Sequence, residues 1–138
     1  MNTRTVDWLT VAAIAALAYV IDTAVHEHLG HAAACVALDS AVNTRLDPMD
    51  IRMVALAGPV ASLLTGLACA RLLRIARAPL TRLFAWMLAS IGLMTAFGYM
   101  LFSGVFGIGD LGVGDEGLLH GVAMPWLWIS YMPVMPIT

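Results

Sequence analysis

Three of the chain's four histidines and one of its two glutamates fall within six consecutive residues, His26-Glu27-His28-Leu29-Gly30-His31. Imidazoles and carboxylates are the side chains that bind zinc and move protons. The surroundings sharpen the signal: Trp8 to Val25 carries one formal charge, Asp22, and Ala32 to Leu38 carries none. Ionisable groups in so apolar a stretch are costly, and they persist where they pair, bind an ion or do chemistry. A catalytic zinc site takes three protein ligands and leaves one position for water. Its usual helical form is H-E-x-x-H, with the two histidines at i and i+4 on one face. Here the spacing from His26 to His31 is i+5, which separates the rings by about 140° on a regular helix. Two arrangements are compatible with a shared site. A π-helical turn of about 4.4 residues brings i and i+5 to within roughly 50° of each other, and Gly30 eases that distortion. A regular helix instead puts Glu27 with His31 and His28 with His31 on one face, leaving His26 spare.

The elements that must position this cluster are apolar throughout. Of 138 residues, 61% are hydrophobic and 12% charged, against about 25% charged in a soluble domain, and the mean hydropathy is +0.87. The expectation is an all-α, polytopic transmembrane helix bundle of three to four spans, with residues 1–138 forming one integral membrane domain. A net charge of −2 is too small to imply nucleic acid or any strongly charged partner, so no nucleic acid is expected; the lipid bilayer is the partner composition implies. Leu9 to Leu38 reads as a first, uncleaved span, Met53 to Leu73 as a second and Leu83 to Phe102 as a third. Asp39 to Arg52 reads as a polar loop. Ser103 to Gly117, with six glycines, Asp110, Asp115 and Glu116, breaks the pattern. Leu118 to Met135 is apolar but interrupted by Pro125 and Pro133, and reads as either a fourth span or a membrane-embedded irregular segment. Four of the seven arginines, Arg71, Arg74, Arg77 and Arg82, lie at the junction of the second and third spans. That junction is expected on the cytoplasmic side, as is the N-terminus with Arg4. The histidine cluster and Asp110 then fall towards the same half of the membrane.

Three stretches in this order resemble the site-2 protease type of intramembrane zinc metalloproteases, the M50-like family. Val25-His26-Glu27-His28-Leu29-Gly30-His31-Ala32-Ala33-Ala34 is similar to the family's H-E-x-G-H and the small residues after it, with one residue more. Ala55-Leu56-Ala57-Gly58-Pro59-Val60-Ala61-Ser62 is similar to its A-G-P-x-A-N, with Ser62 in place of Asn. Phe102 to Asp110 lies where the family has a third ligand, an Asp in a later core helix. The resemblance implies a zinc cofactor held by His26, His31 and Asp110, with Glu27 as the catalytic general base acting on water that the ion activates. His28 is then the inserted residue. It implies hydrolysis of peptide bonds in a membrane protein or peptide substrate, at the plasma membrane (the inner membrane of a bacterium). The alternative is a non-catalytic M50-like homologue serving as an accessory or interaction subunit. A haem or proton-relay protein is a third reading, one that wants histidines on separate, facing helices.

Other candidates read more plainly. Asp22, four residues before His26, is expected to hydrogen-bond its ring. Asp115 rivals Asp110 as a ligand, and His31 with Cys35 is an alternative soft pair. His120 reads as a solvated residue, and Cys35 and Cys69 as buried thiols rather than a disulfide. Trp8, Trp86, Trp126 and Trp128 read as interfacial anchors, and the nine methionines as packing.

Overall fold

The computed structural model describes residues 7–38, 47–114 and 117–119. Helix α1 (Trp8–Ala24) continues without a break into a π-helical stretch, Val25–Ala32, and then a short helix α2 (Ala33–Ala37). Helices α3 (Pro48–Ile75) and α4 (Pro79–Phe106) follow, and no strand occurs among the described residues. Arg4, Arg45, Asp115, His120, Trp126, Trp128 and the apolar segment 120–135 lie outside the described residues.

Local chemistry explains where the helices start and stop. Asp7 opens α1, its Oδ1 accepting the Thr10 amide at 2.7 Å, as a good N-cap does. Asp47 accepts from the Met49 amide and Pro48 takes the first helical position of α3, where a missing N–H costs nothing. The second span therefore begins five residues before the expected Met53, and part of the expected loop is helix. Pro79 opens α4 in the same way, four residues before Leu83, so the arginine junction is only three residues long. Gly107, at φ +70°, closes α4 in the left-handed conformation and returns its N–H to Ser103 O at 2.8 Å.

Three continuous helical stretches, Trp8–Ala37, Pro48–Ile75 and Pro79–Ser103, are long and apolar enough to cross a membrane. Their packing has the polarity of membrane helices. The buried faces are made of small residues: Ala55, Gly58, Ser62 and Gly66 on α3, and Ala85, Ala89 and Ala96 on α4. Large apolar side chains such as Leu17, Val20, Leu64, Phe97 and Leu101 point outward. Small residues let helix backbones approach closely where lipid supplies no hydrophobic drive. A Cβ on Gly92 would stand 2.7 Å from Ser62 O, and one on Gly66 would stand 3.0 Å from the Leu93 backbone N, which marks the closest α3–α4 approach. α1 packs along α4, and the π-helical stretch along α3. Trp8 and Trp86 are exposed. Among the described residues there is no disulfide; Cys35 and Cys69 are partly rather than fully buried.

Candidate metal centre

The i+5 spacing is resolved by winding the helix wide. Along Val25–Ala32 the backbone is π-helical, and the Ala33 N–H bonds back to His28 O, five residues away. One extra residue is absorbed, and His26 and His31 come to one face with their Nε2 atoms 3.2 Å apart. The rings meet edge to face, with centroids 4.8 Å apart. His28 is exposed and lies outside the group.

Two glycines make room for the pair. A Cβ on Gly30 would stand 2.5 Å from Gly58 Cα, so the wide turn lies directly on α3 at that point. A Cβ on Gly58 would run into both imidazoles, 2.7 Å from His26 Nε2 and closer still to His31 Nε2. Gly58 and Pro59 both sit inside α3, with Gly58 against the two rings. Helix α3 also orients them. His31 Nδ1 donates to Val54 O at 2.7 Å, and His26 Nδ1 lies 3.2 Å from Ser62 Oγ. A carbonyl only accepts, so the His31 proton is on Nδ1 and its Nε2 faces the cluster. Tyr99 of α4 stacks on the His26 ring, with centroids 5.3 Å apart and planes at 22°.

Asp110 completes the group from below. It stands in a glycine-rich turn after α4 and not in a helix, which corrects the placement the family resemblance implied. Gly109, at φ +86°, turns the chain back. Ser103 Oγ donates to Ile108 O at 2.8 Å, and the Leu118 N–H donates to Asp110 O at 2.7 Å. The Asp110 Oδ2 is 3.0 Å from His26 Nε2 and 3.3 Å from His31 Nε2. Two neutral imidazole nitrogens and a carboxylate oxygen are all acceptors, and three acceptors this close are stable only around a cation or shared protons. Without a metal, the Nε2 atoms donate to Asp110 only when the imidazoles are protonated there; burial then pushes the Asp110 carboxyl up, but these hydrogen bonds from His26 and His31 outweigh it and bring it from 3.8 down to about 2. Among the described residues, His26, His31 and Asp110 form a group that could hold a metal ion.

Glu27 is exposed and lines the same groove as His26. That groove, about 660 Å³ between α1 and α4, is walled by Tyr19, Asp22, Met94, Tyr99 and Phe102 among others. Asp22 does not bond the His26 ring. It is 2% exposed and faces α4, where its Oδ2 accepts from Thr95 Oγ1 at 2.8 Å. Ser62 holds the His26 nitrogen instead. Sequence reasoning missed Ser62, Ser103 and Tyr99 as supports. The signals for Ser62 were its place in the A-G-P-x-A-N-like stretch and its spacing four residues after Gly58, on the same face of α3.

The fold and the site together define an all-helical bundle with three membrane-length helices and a partly buried His-His-Asp group that could hold a metal ion. No family model, curated protein or solved structure matches the chain.

Proposed function

We propose that this protein is a zinc-dependent intramembrane metalloprotease of the site-2 protease type. Its substrates are peptide bonds in membrane-embedded segments, cut at the plasma membrane, the inner membrane of a bacterium. The observation that carries this reading is the convergence of His26 Nε2, His31 Nε2 and Asp110 Oδ2 at separations of 3.0, 3.2 and 3.3 Å. Two ligands on a tetrahedron with zinc bonds of about 2.0–2.1 Å stand about 3.3 Å apart. The donor set, two imidazoles and one carboxylate, is that of a three-ligand catalytic zinc site with one position open.

Held by His26, His31 and Asp110, zinc would supply Lewis acidity and would lower the pKa of water towards about 7. The remaining work falls to the chain's own residues. Ser62 and the Val54 carbonyl hold the two rings with Nε2 inward, and Tyr99 covers His26. Such supports keep ligands oriented. A carboxylate oxygen of Glu27, beside His26 at the groove, accepts the proton from water and returns it to the leaving amine. The groove between α1 and α4, which His26 and Glu27 line, is where a substrate segment would reach this point.

A non-catalytic relative that uses the metal structurally is the second reading. It is favoured by the exposure of Glu27, which takes no hydrogen bond from the cluster. Glu27→Gln separates the two readings. The variant is expected to keep one equivalent of zinc and to lose about 10²- to 10⁴-fold in cleavage of a membrane substrate. Zinc loss would make Glu27 a ligand. A wild type that binds zinc and cuts none of a panel of membrane-embedded substrates would establish the second reading.

A further inference from the structure

The arginines at the α3–α4 junction are not equivalent. Arg82 turns back on the junction, its Nη1 lying 3.4 Å from both Leu73 O and Ala76 O. It satisfies carbonyls at the end of α3, where the last turn has no helical partners for them. Arg71, Arg74 and Arg77 are exposed, and among the described residues none has an acidic partner. In sequence, no Asp or Glu occurs between Arg52 and Asp110. Exposed apolar residues are interleaved with the three arginines in sequence. Ile75 is 74% and Leu80 52% exposed at the same end of the bundle.

From this we infer that Arg71, Arg74 and Arg77 form a docking surface for anionic phospholipid, one that binds the negatively charged headgroup while Ile75 and Leu80 meet the acyl chains. The inference rests on the chain being membrane-embedded and is independent of any proteolysis. In a membrane-embedded chain, three guanidinium groups without an acidic partner among the described residues, at the junction of two membrane-length helices, would lie near the headgroups. Guanidinium is suited to phosphate because its donors form a planar fork. An acidic protein or nucleic acid would use the charge but not the apolar rim. A basic residue near an anionic membrane surface contributes about five-fold in binding. Arg82, already engaged with carbonyls, contributes little.

The test uses the full chain reconstituted in vesicles of phosphatidylcholine with phosphatidylglycerol. Lipid retained after detergent extraction is quantified by mass spectrometry as the ratio of the two headgroups, relative to the bulk mixture. Wild type is expected to enrich phosphatidylglycerol, and each of R71Q, R74Q and R77Q to lower the enrichment by up to about five-fold. The triple variant should abolish it, R71K/R74K/R77K should restore most of it, and R82Q should leave it within two-fold of wild type. High salt should weaken it. The inference is overturned if wild type shows no preference, if the single variants keep it, or if R82Q loses as much as R74Q. Flotation with pure phosphatidylcholine vesicles tests the membrane reading separately. A chain that fails to float overturns both, whereas one that floats without preference overturns this inference alone.

Discussion

A methyl group at Gly58 is the smallest perturbation that tests how the site is built. An ideal Cβ there would stand 2.6 Å from His31 Cε1 and 2.7 Å from His26 Nε2. Ordinary carbon contacts are about 3.5–4.0 Å, so the rings must retreat by close to 1 Å. Metal sites tolerate departures of about 0.2 Å from ideal ligand distances. Losing an outer partner of a ligand alone costs 10- to 100-fold in affinity. Displacing two ligands should therefore cost on the order of 10²-fold or more. The helix itself should not suffer, because alanine is favoured over glycine in a helix interior by about 1 kcal/mol. Zinc per chain after dialysis against a graded chelator series measures the affinity, and circular dichroism reports helix content. Gly98→Ala is the control. It is the same change on α4 at the groove, and its Cβ would meet nothing within 4 Å. Gly58→Ala is expected to lose zinc with helicity intact, and Gly98→Ala to keep it. Wild-type zinc affinity in Gly58→Ala would refute the close approach of α3 to the two imidazoles.

Other consequences can be checked with the same zinc measurement. Ser62→Ala removes the partner of His26 Nδ1 and should weaken binding by 10- to 100-fold; an unchanged affinity would show that Tyr99 stacking alone orients the ring. Deleting His28 restores the i+4 spacing and makes the wide turn unnecessary, so zinc should be retained. Loss of zinc with helicity intact would show that the π-helical winding places more than the histidine pair. Asp110→Asn should weaken zinc binding, with zinc per chain falling below one equivalent. In the metal-free protein the Asp110 carboxyl lies below its unfolded value, at about 2. Its stabilising effect is thus fully present above about pH 3.8 and is lost as pH falls towards 2. Thermal melts of metal-free protein between pH 5 and 2 should fall more for wild type than for Asp110→Asn. Parallel curves would show that Asp110 is not tied to the histidines.

Much of this arrangement is legible in the chain itself. Apolar run length and low charge determine three helices of membrane length, because a bilayer span needs about 20 apolar residues and tolerates few ions. The density of His26, Glu27 and His31 marks the site, and the i+5 spacing marks the need for a wide turn. Helix boundaries were less legible: Pro48 and Pro79 start α3 and α4 early because proline suits the first turn, a local preference that hydropathy does not register. Tertiary structure alone decided between His26 and His28 as the partner of His31, since helical geometry permits either and only the fit against Gly58 and Ser62 selects one. It also decided that Asp22 turns to Thr95 and that Asp110 reaches the histidines from a turn. The physical reason is range. Periodicity and capping act over four or five residues, whereas His26 meets Ser62 across 36 positions and Asp110 across 84. Contacts of that span depend on how closely small-residue faces let the helices approach, which is a property of the packed bundle and not of any one segment.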